Sequence, residues 1–267
     1  MDLSTGLLVG AEALLRWDNA ELGIISPARF IPIAEDIGLI SALGEWVLST
    51  ACHQVKEWDR LGFRLPRVSV NLSVKQLEHG NIVDTVCRVL AETGLASSRL
   101  EMEVTESAIM KNERTLGFLS GLRKLGVVLS VDDFGTGYSS LSYLSRLPVE
   151  KLKIDRSFVT DVTTNPTQEA IVRAIIALSN ALGLSTIAEG IETEAEAQFL
   201  RQEGCQQAQG YLFSHPLPSH ELLARWGGIT VEQTQTGQTP APRPDMPEQK
   251  LPAVQESWPA SAPAALC

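Results

Sequence analysis

Two adjacent carboxylates, Asp132 and Asp133, follow an apolar run and precede the glycine-rich turn FGTGY. Successive residues of a strand point to opposite faces, so this pair can serve one site only where the strand gives way to a loop. We therefore predict that a strand ends at Asp132. The turn after it, with Gly135 and Gly137, fits either a mobile loop over a site or an ordinary tight turn.

Other side chains that could do chemistry recur at the carboxyl ends of further β-rich runs. They are Glu12, Asn71, Glu103 with Glu106, Lys153, Glu189 with Glu192, and Gln209. A single carboxylate after a strand is more often a helix cap or a solvated residue, but recurrence at every strand end favours a shared pocket. Arg16 beside Trp17 fits either a surface pair or a contact with a ligand phosphate.

Several carboxylates in one cavity repel each other and take up protons unless cations hold them ionised. Their oxygen ligands suit Mg²⁺ or Mn²⁺ rather than zinc or copper. Asp132 beside Asp133 could serve two ions, with one carboxylate bridging, and paired ions activate water for in-line attack on a phosphodiester. Lys153 would orient that water or help to deprotonate it.

The elements that must position these residues alternate along the chain up to about residue 226, which is typical of a parallel sheet covered by helices. The predicted strands are residues 7–15, 67–72, 100–105, 127–132, 151–154, 185–188 and 206–211. Helices are predicted from Ser26 and Pro27 onward and at residues 39–61, 82–92, 113–125, 168–182 and 194–203, with Asn165 and Pro166 opening the helix at 168–182.

Seven strands come one short of a closed eightfold barrel, so we predict an α/β fold of the TIM-like (β/α)8 type with one strand missing. An open doubly wound sheet is the alternative. No GxGxxG motif follows the first strand, and the polar residues occur at all strand ends rather than at one switch point. Both observations favour the barrel.

The 267-residue chain has a formal net charge of −10, which disfavours binding to duplex nucleic acid or to an anionic membrane. It has neither a long apolar run nor a signal-peptide pattern, and its four cysteines form no CxxC pair, so we expect a soluble cytoplasmic protein. Seven of the fourteen prolines lie between Pro240 and Pro263. We predict a barrel domain at residues 1–227 and a disordered, Pro- and Gln-rich tail at residues 228–267.

The residues that could take part in catalysis or metal binding lie in segments that resemble the EAL domain family, the cyclic di-GMP phosphodiesterases. The segments are GAEALLRW at 10–17, FIPIAEDIGLI at 30–40, VNLS at 70–73, EMEVTES at 101–107, VDDFGTGYSSL at 131–141, KLKIDRSFV at 151–159, AEGIET at 188–193 and QGYLFSHPL at 209–217. They follow one another in unbroken order from about residue 3 to residue 226.

The resemblance implies a TIM-like barrel that opens cyclic di-GMP to linear pGpG in bacterial signalling, using Mg²⁺ or Mn²⁺. By position, Glu12, Asn71, Glu103 and Asp132 match ligands of a first ion, and Asp133 and Glu189 belong with a second. Lys153 is similar to the lysine that positions the attacking water, with Glu189 assisting as a base. Glu106 matches the glutamate that steadies the DDFGTGY loop, whose ordering is associated with dimerisation. Arg16 and Gln209 match positions that contact the substrate or support the site, and Glu192 matches a supporting position.

The resemblance departs from the family at the amino terminus. Family members ordinarily carry a further strand, with a QPI-like segment, before the strand that contains GAEALLRW. We therefore expect the barrel to lack its first strand and to leave unpaired edges. We expect either that the domain belongs to a longer parent protein, often with sensory or GGDEF regions upstream, or that this form of the domain is functionally compromised.

Two other functions stay open from the sequence. The missing strand fits a cyclic di-GMP receptor or a partner-binding module that does not hydrolyse the nucleotide. A barrel lyase that uses Lys153 as a Schiff base is the third possibility, although the carboxylate cluster would have no role in it.

Overall fold

A computed structural model describes residues 1–79, 81–110, 113–137, 144–227 and 265–266. The strands are β1 (Ala11–Leu14), β2 (Trp17–Asn19), β3 (Gly23–Ile25), β4 (Val68–Asn71), β5 (Leu100–Thr105), β6 (Val128–Phe134), β7 (Lys151–Ile154), β8 (Ser185–Ala188), β9 (Gln207–Ala208), β10 (Leu217–Pro218) and β11 (Ala265–Leu266). The helices are α1 (Pro27–Asp36), α2 (Ile40–Arg60), α3 (Val74–His79), α4 (Ile82–Thr93), α5 (Glu106–Met110), α6 (Glu113–Lys124), α7 (Arg156–Val159), α8 (Pro166–Ala181), α9 (Glu194–Gln202) and α10 (Ser219–Trp226), with a 3-10 turn at Ser97–Arg99.

The main sheet contains seven parallel strands in the order β1-β4-β5-β6-β7-β8-β9. The order follows the chain without a reversal, whereas a doubly wound sheet reverses at a switch point, so that alternative is wrong. Together with the covering helices the strands form a half-barrel, which confirms the predicted TIM-like fold with one strand fewer. Strands β2 and β3 form a separate antiparallel hairpin.

The two sides of the parallel strands differ in chemistry. One side carries apolar residues such as Val70, Met102 and Leu152, which pack in the hydrophobic core with residues of α2, α4 and α8. Because side chains alternate along a strand, the polar residues between them point to the other side, into the barrel. Glu103 and Lys153 are examples, and both are almost completely buried. The sheet therefore gathers polar side chains inside the barrel.

A gap, the seam, separates β1 from β9 in the barrel. Both of its edges are partly covered. On one edge β11 pairs antiparallel with β1, with Leu266 opposite Ala13. On the other edge Asp2 bridges to Gln207, and the amide of Ala208 donates to the carbonyl of Met1 at 2.9 Å. A cavity of about 70 Å³ lies in the seam. The edges are thus less exposed than the sequence led us to expect.

The predicted tail falls mainly on residues 228–264 and 267, which lie outside the described residues. Its disorder, and the division of the chain after residue 227, therefore stay predictions. No helix in the described ranges combines the length and the apolar character needed to cross a membrane.

Helix boundaries mostly follow their sequence signals. The side chain of Asn165 accepts a hydrogen bond from the Thr167 amide and Pro166 is the first residue of α8, as predicted. Ser26 precedes α1 but makes no side-chain capping bond. The short helices α3, α5, α7 and α10 were not predicted, because one or two turns carry too little periodicity to be recognised.

Candidate active site

Lys153 lies at the centre of the candidate site, at the inner face of β7. Its side chain is 2% exposed, and its ammonium contacts carboxylates from β1, β5 and β6 and from the residue that follows β8. The Nζ atom is in close contact with Glu103, 2.7 Å from Glu189 Oε1, 3.0 Å from Asp132 Oδ1 and 3.8 Å from Glu12 Oε2. The structure therefore brings together four of the carboxylates singled out in the sequence, around one buried cation.

Glu12 is fixed by an amide on each side. Its Oε1 accepts a hydrogen bond from Asn71 Nδ2 at 2.6 Å, and its Oε2 accepts one from Gln209 Nε2 at 2.7 Å. Asn71 ends β4, the neighbour of β1, whereas Gln209 follows β9 and reaches Glu12 across the seam. Both oxygens of Glu12 are thus oriented by donors that come from opposite directions.

The Asp132–Asp133 pair stays together for a reason other than the predicted one. The strand does not end at Asp132; β6 continues to Phe134. Asp133 instead adopts a left-handed backbone conformation with φ 53°, and the pairing with β7 shifts register between Val131 and Phe134. This irregularity cancels the alternation of side chains. Carboxylate oxygens of Asp132, Asp133 and Glu189 consequently lie within 4.8 Å of one another.

The turn after this pair is held by Glu106, which is buried at the start of α5. Its Oε2 accepts a hydrogen bond from the Gly135 amide at 2.9 Å. Gly135 has φ 98°, so this position needs glycine, and a Cβ at Gly137 would lie 2.9 Å from Glu106 Oε1 and displace that carboxylate. Residues 138–143 of the predicted loop lie outside the described part of the chain.

The contacts of Arg16 and Glu192 are with residues other than the carboxylates around Lys153. The guanidinium of Arg16 donates to the carbonyl of Leu15 at 3.0 Å. Glu192 is exposed and pairs with Arg156 at 2.6 Å, while its backbone amide donates to Glu196. The search for polar residues at predicted strand ends gave the same signal for Glu192 as for the residues inside the barrel.

Two features were missed in the sequence. Asp155 follows β7 two residues after Lys153, and its carboxyl interacts with that of Asp133. Deeper in the barrel, the buried Lys151 pairs with Glu101 at 2.8 Å. The spacing E-x-E at Glu101 and Glu103, and K-x-K at Lys151 and Lys153, was a usable signal, because a period of two places both members on one face of a strand.

The electrostatics of the cluster reflect burial and mutual repulsion. Burial alone would lower the pKa of Lys153, but Glu103, Glu12, Glu189 and Asp132 outweigh it and raise the pKa well above its ordinary value. Burial raises the pKa of Glu103, against the opposing effect of Lys153. Burial and then repulsion from Asp132 and Asp155 raise the pKa of Asp133. Lys153 is therefore an ammonium, and it neutralises only part of the negative charge around it.

We expect the metal-free protein to lose stability as the pH rises from about 4.5 to about 7. Burial raises the pKa of Glu189 from 4.5 to about 7 in the folded protein. Between these values the folded state holds more protons than the unfolded state, so the free energy of unfolding falls with rising pH, by on the order of 3 kcal/mol for this group. Urea unfolding in a chelator from about pH 5 to about pH 8 measures the slope.

The matched variant for this measurement is Glu189→Gln, which cannot ionise at that position. Its stability profile should be flatter than that of the wild type across the same pH window. Parallel profiles of the two proteins would show that Glu189 titrates as an ordinary carboxyl group.

The donor set fits a hard divalent cation. The converging groups offer carboxylate oxygens and the amide of Asn71, and no histidine or thiolate belongs to the set within the described residues. Such ligands suit Mg²⁺ or Mn²⁺. The incomplete neutralisation by Lys153 leaves negative charge that a bound cation would balance.

The chain is similar in sequence to proteins that act on cyclic di-GMP. The family model of the EAL domain matches residues 1–216. Two relatives from Pseudomonas aeruginosa are each 46% identical: the bifunctional diguanylate cyclase/cyclic di-GMP phosphodiesterase MucR over 220 residues and the cyclic di-GMP phosphodiesterase NbdA over 217 residues. These matches cover 82% and 81% of this chain but only 32% and 28% of the two relatives, so the chain spans about a third of their length.

Solved structures show the same similarity. The PaMucR phosphodiesterase in complex with c-di-GMP has a TM-score of 0.79 and 46% identity, and the match covers 82% of this chain and 89% of that chain. The EAL enzyme Bd1971 in its cGMP-bound form has a TM-score of 0.79 and 34% identity, with 84% and 62% covered. The FimX EAL domain from Pseudomonas aeruginosa, at 23% identity and a TM-score of 0.72, shares the fold over 79% of this chain and 85% of its own.

Proposed function

Because the chain belongs to the EAL domain family, we propose that it hydrolyses cyclic di-GMP to linear pGpG with Mg²⁺ or Mn²⁺ as the cofactor. The observation that carries the proposal is the convergence of Glu12, Glu103, Asp132 and Glu189 on one buried lysine inside the barrel. Relatives that are 46% identical bear the name of this activity, which supports it.

The proposed metal ligands divide into two groups. Glu12, Asn71, Glu103 and Asp132 would hold one ion, and Asp133 and Glu189 would hold a second, with Asp132 close enough to serve both. Divalent ions bound there would polarise the phosphodiester and lower the pKa of a coordinated water, so that a nucleophile exists near neutral pH. The protein contributes fixed ligand positions, above all through the two amides that orient Glu12.

The remaining residues would act on substrate and proton. Lys153 Nζ is proposed to donate a hydrogen bond that positions the attacking water, and Glu189 is proposed to accept a proton from it. Arg16, just beyond β1, is proposed to contact a phosphate of the nucleotide, and Gln209 to support the same region. Glu106 would hold the turn beside the aspartates, and Glu192 would support the site from outside the carboxylate cluster.

The context of the domain is also a proposal. MucR and NbdA are about three times longer than the matched region. We propose that this domain works in a cytoplasmic protein together with upstream sensory or GGDEF regions, and that it forms a homodimer. Sedimentation analysis of the purified chain, with and without cyclic di-GMP, tests the dimer.

Incubation of the purified chain with cyclic di-GMP and Mn²⁺ is expected to yield linear pGpG, detected by chromatography. Addition of a chelator should stop product formation, and renewed Mn²⁺ should restore it, because the cofactor acts directly in the reaction. Product that persists in the chelator would contradict the proposed metal dependence. Tight nucleotide binding without turnover in Mn²⁺ would instead identify a receptor.

The lyase alternative is disfavoured by the surroundings of Lys153. A Schiff base requires a neutral amine, whereas the four carboxylates around Nζ stabilise its ammonium form. Borohydride should therefore trap no carbonyl substrate on this residue.

A further inference from the structure

The barrel contains two buried lysines on the same face of β7, and their surroundings differ. Lys151 pairs with a single carboxylate, Glu101, at 2.8 Å, and Glu101 is also 3.6 Å from Arg67. Lys153 contacts four carboxylates, although both side chains are almost completely buried. One carboxylate is thus enough to balance the charge of a buried lysine in this barrel. The other three around Lys153 need a separate explanation.

The ammonium of Lys153 has three N–H groups, and its three shortest contacts are all with carboxylates. These contacts go to Glu103, to Glu189 at 2.7 Å and to Asp132 at 3.0 Å. Each of these residues is also a proposed ligand of a divalent cation. The contact with Glu103 is a hydrogen bond, and the other two are ion pairs, so in this arrangement the ammonium is engaged with the proposed ligands rather than with a water or a substrate.

We propose that the Lys153 ammonium is the resident cation of the site, and that it competes with the first divalent ion for the same carboxylate oxygens. The inference rests on the proposed function for the identity of the ligands. A divalent ion that takes over oxygens of Glu12, Glu103 and Asp132 releases N–H groups of Lys153. The lysine can then turn to the attacking water, so metal binding itself makes it available.

The direction in which the metal affinity changes when Lys153 is removed distinguishes competition from a purely structural role. If Lys153 only gathered the carboxylates into position, its removal would loosen the ligand set and weaken metal binding. If it competes, its removal leaves the carboxylates with no positive charge nearby, and the affinity for a divalent ion rises. The same change lowers the stability of the metal-free protein, because four carboxylates then face one another without a cation.

The experiment measures Mn²⁺ binding without nucleotide, by calorimetry or by the electron paramagnetic resonance of free Mn²⁺. Wild type, Lys153→Met and Lys151→Met are compared, since Lys151 is an equally buried lysine that touches none of the proposed ligands. We expect Lys153→Met to bind Mn²⁺ at least about tenfold more tightly than the wild type. Lys151→Met should keep the wild-type affinity, although it loses stability.

Thermal unfolding supplies a second readout. Mn²⁺ should raise the unfolding midpoint of Lys153→Met by more than it raises that of the wild type, because at a given concentration a ligand that binds the folded state more tightly stabilises it more. If Lys153→Met folds only in the presence of Mn²⁺, as its uncompensated carboxylates would require, Lys153→Gln replaces it in the titration. Its amide restores a hydrogen-bond donor but no charge.

Equal or weaker Mn²⁺ binding by Lys153→Met and Lys153→Gln overturns the inference, and leaves the proposed hydrolysis untouched if the wild type still binds Mn²⁺ and yields pGpG. A wild type that binds no Mn²⁺ overturns the metal-dependent function and the inference together. Tighter binding by both Lys153 variants, with Lys151→Met unchanged, supports the competition.

Discussion

Replacing Glu12 with glutamine is expected to reduce cyclic di-GMP hydrolysis by more than about a hundredfold. Mutation of residues that only hydrogen-bond to metal ligands already lowers metal affinity or activity by roughly 10- to 100-fold. Both oxygens of Glu12 accept hydrogen bonds from amide NH₂ groups, of Asn71 and of Gln209. A glutamine must therefore turn its own NH₂ group toward one of these donors. The variant loses a charged ligand and also the fixed orientation of the side chain.

The measurement is the rate of pGpG formation at saturating Mn²⁺, together with the Mn²⁺ affinity. Glu196→Gln is the matched control, because Glu196 is also buried but accepts its bonds from the backbone amides of Glu192 and Thr193. A glutamine keeps a suitable acceptor there, as in other capping boxes, so activity should be retained. Wild-type turnover in Glu12→Gln would rule out Glu12 as a ligand.

Replacing Glu106 with alanine is expected to lower kcat by roughly 10- to 100-fold while the barrel stays folded. Glu106 accepts the hydrogen bond of the Gly135 amide, and the following Thr136 bonds to the carbonyl of Asp133. This turn supports the left-handed conformation of Asp133, which costs about 1–3 kcal/mol where nothing holds it. Without Glu106, Asp133 can relax away from Asp132 and Glu189.

Steady-state kinetics and Mn²⁺ titration of the Glu106 variants test this explanation. Glu106→Gln keeps an oxygen that can accept from Gly135, so it should lose less activity than the alanine variant. Unchanged kcat in Glu106→Ala, with circular dichroism like that of the wild type, would show that the turn does not need this carboxylate. Equal losses in both variants would point to the charge rather than to the hydrogen bond.

The rule of looking for polar residues at predicted strand ends found Glu12, Glu103, Asp132 and Glu189, which meet around Lys153. Glu12 and Glu103 in fact lie inside β1 and β5, and they meet because paired parallel strands turn alternate side chains to the same side. The same rule could not separate them from Glu192, which pairs with Arg156 at the surface. A shift of one residue along a strand or loop determines whether a side chain points into the barrel or into solvent, and the residue type alone does not show which.

Tertiary support explains most of what could not be predicted. An aspartate in the left-handed conformation, such as Asp133, is uncommon. It is stable here because Glu106 of α5 holds the following turn, so the neighbouring sequence contains no signal that would predict it. The long helix α2 has enough periodicity to be recognised, and α8 has capping signals as well. Strand β9 has only two residues, and its place is set by pairing with β8 rather than by its own sequence.

The hydrogen bond between Gln209 and Glu12 joins positions 197 residues apart. Contacts between such distant positions require the closure of a long loop, and proteins rich in them fold slowly. Of the seven parallel strands, the one that carries Glu12 is synthesised first, and the residue that orients its Oε2 follows the last of them. The proposed site is therefore completed late in folding, and a chain without β9 lacks the hydrogen bond from Gln209 that orients Glu12.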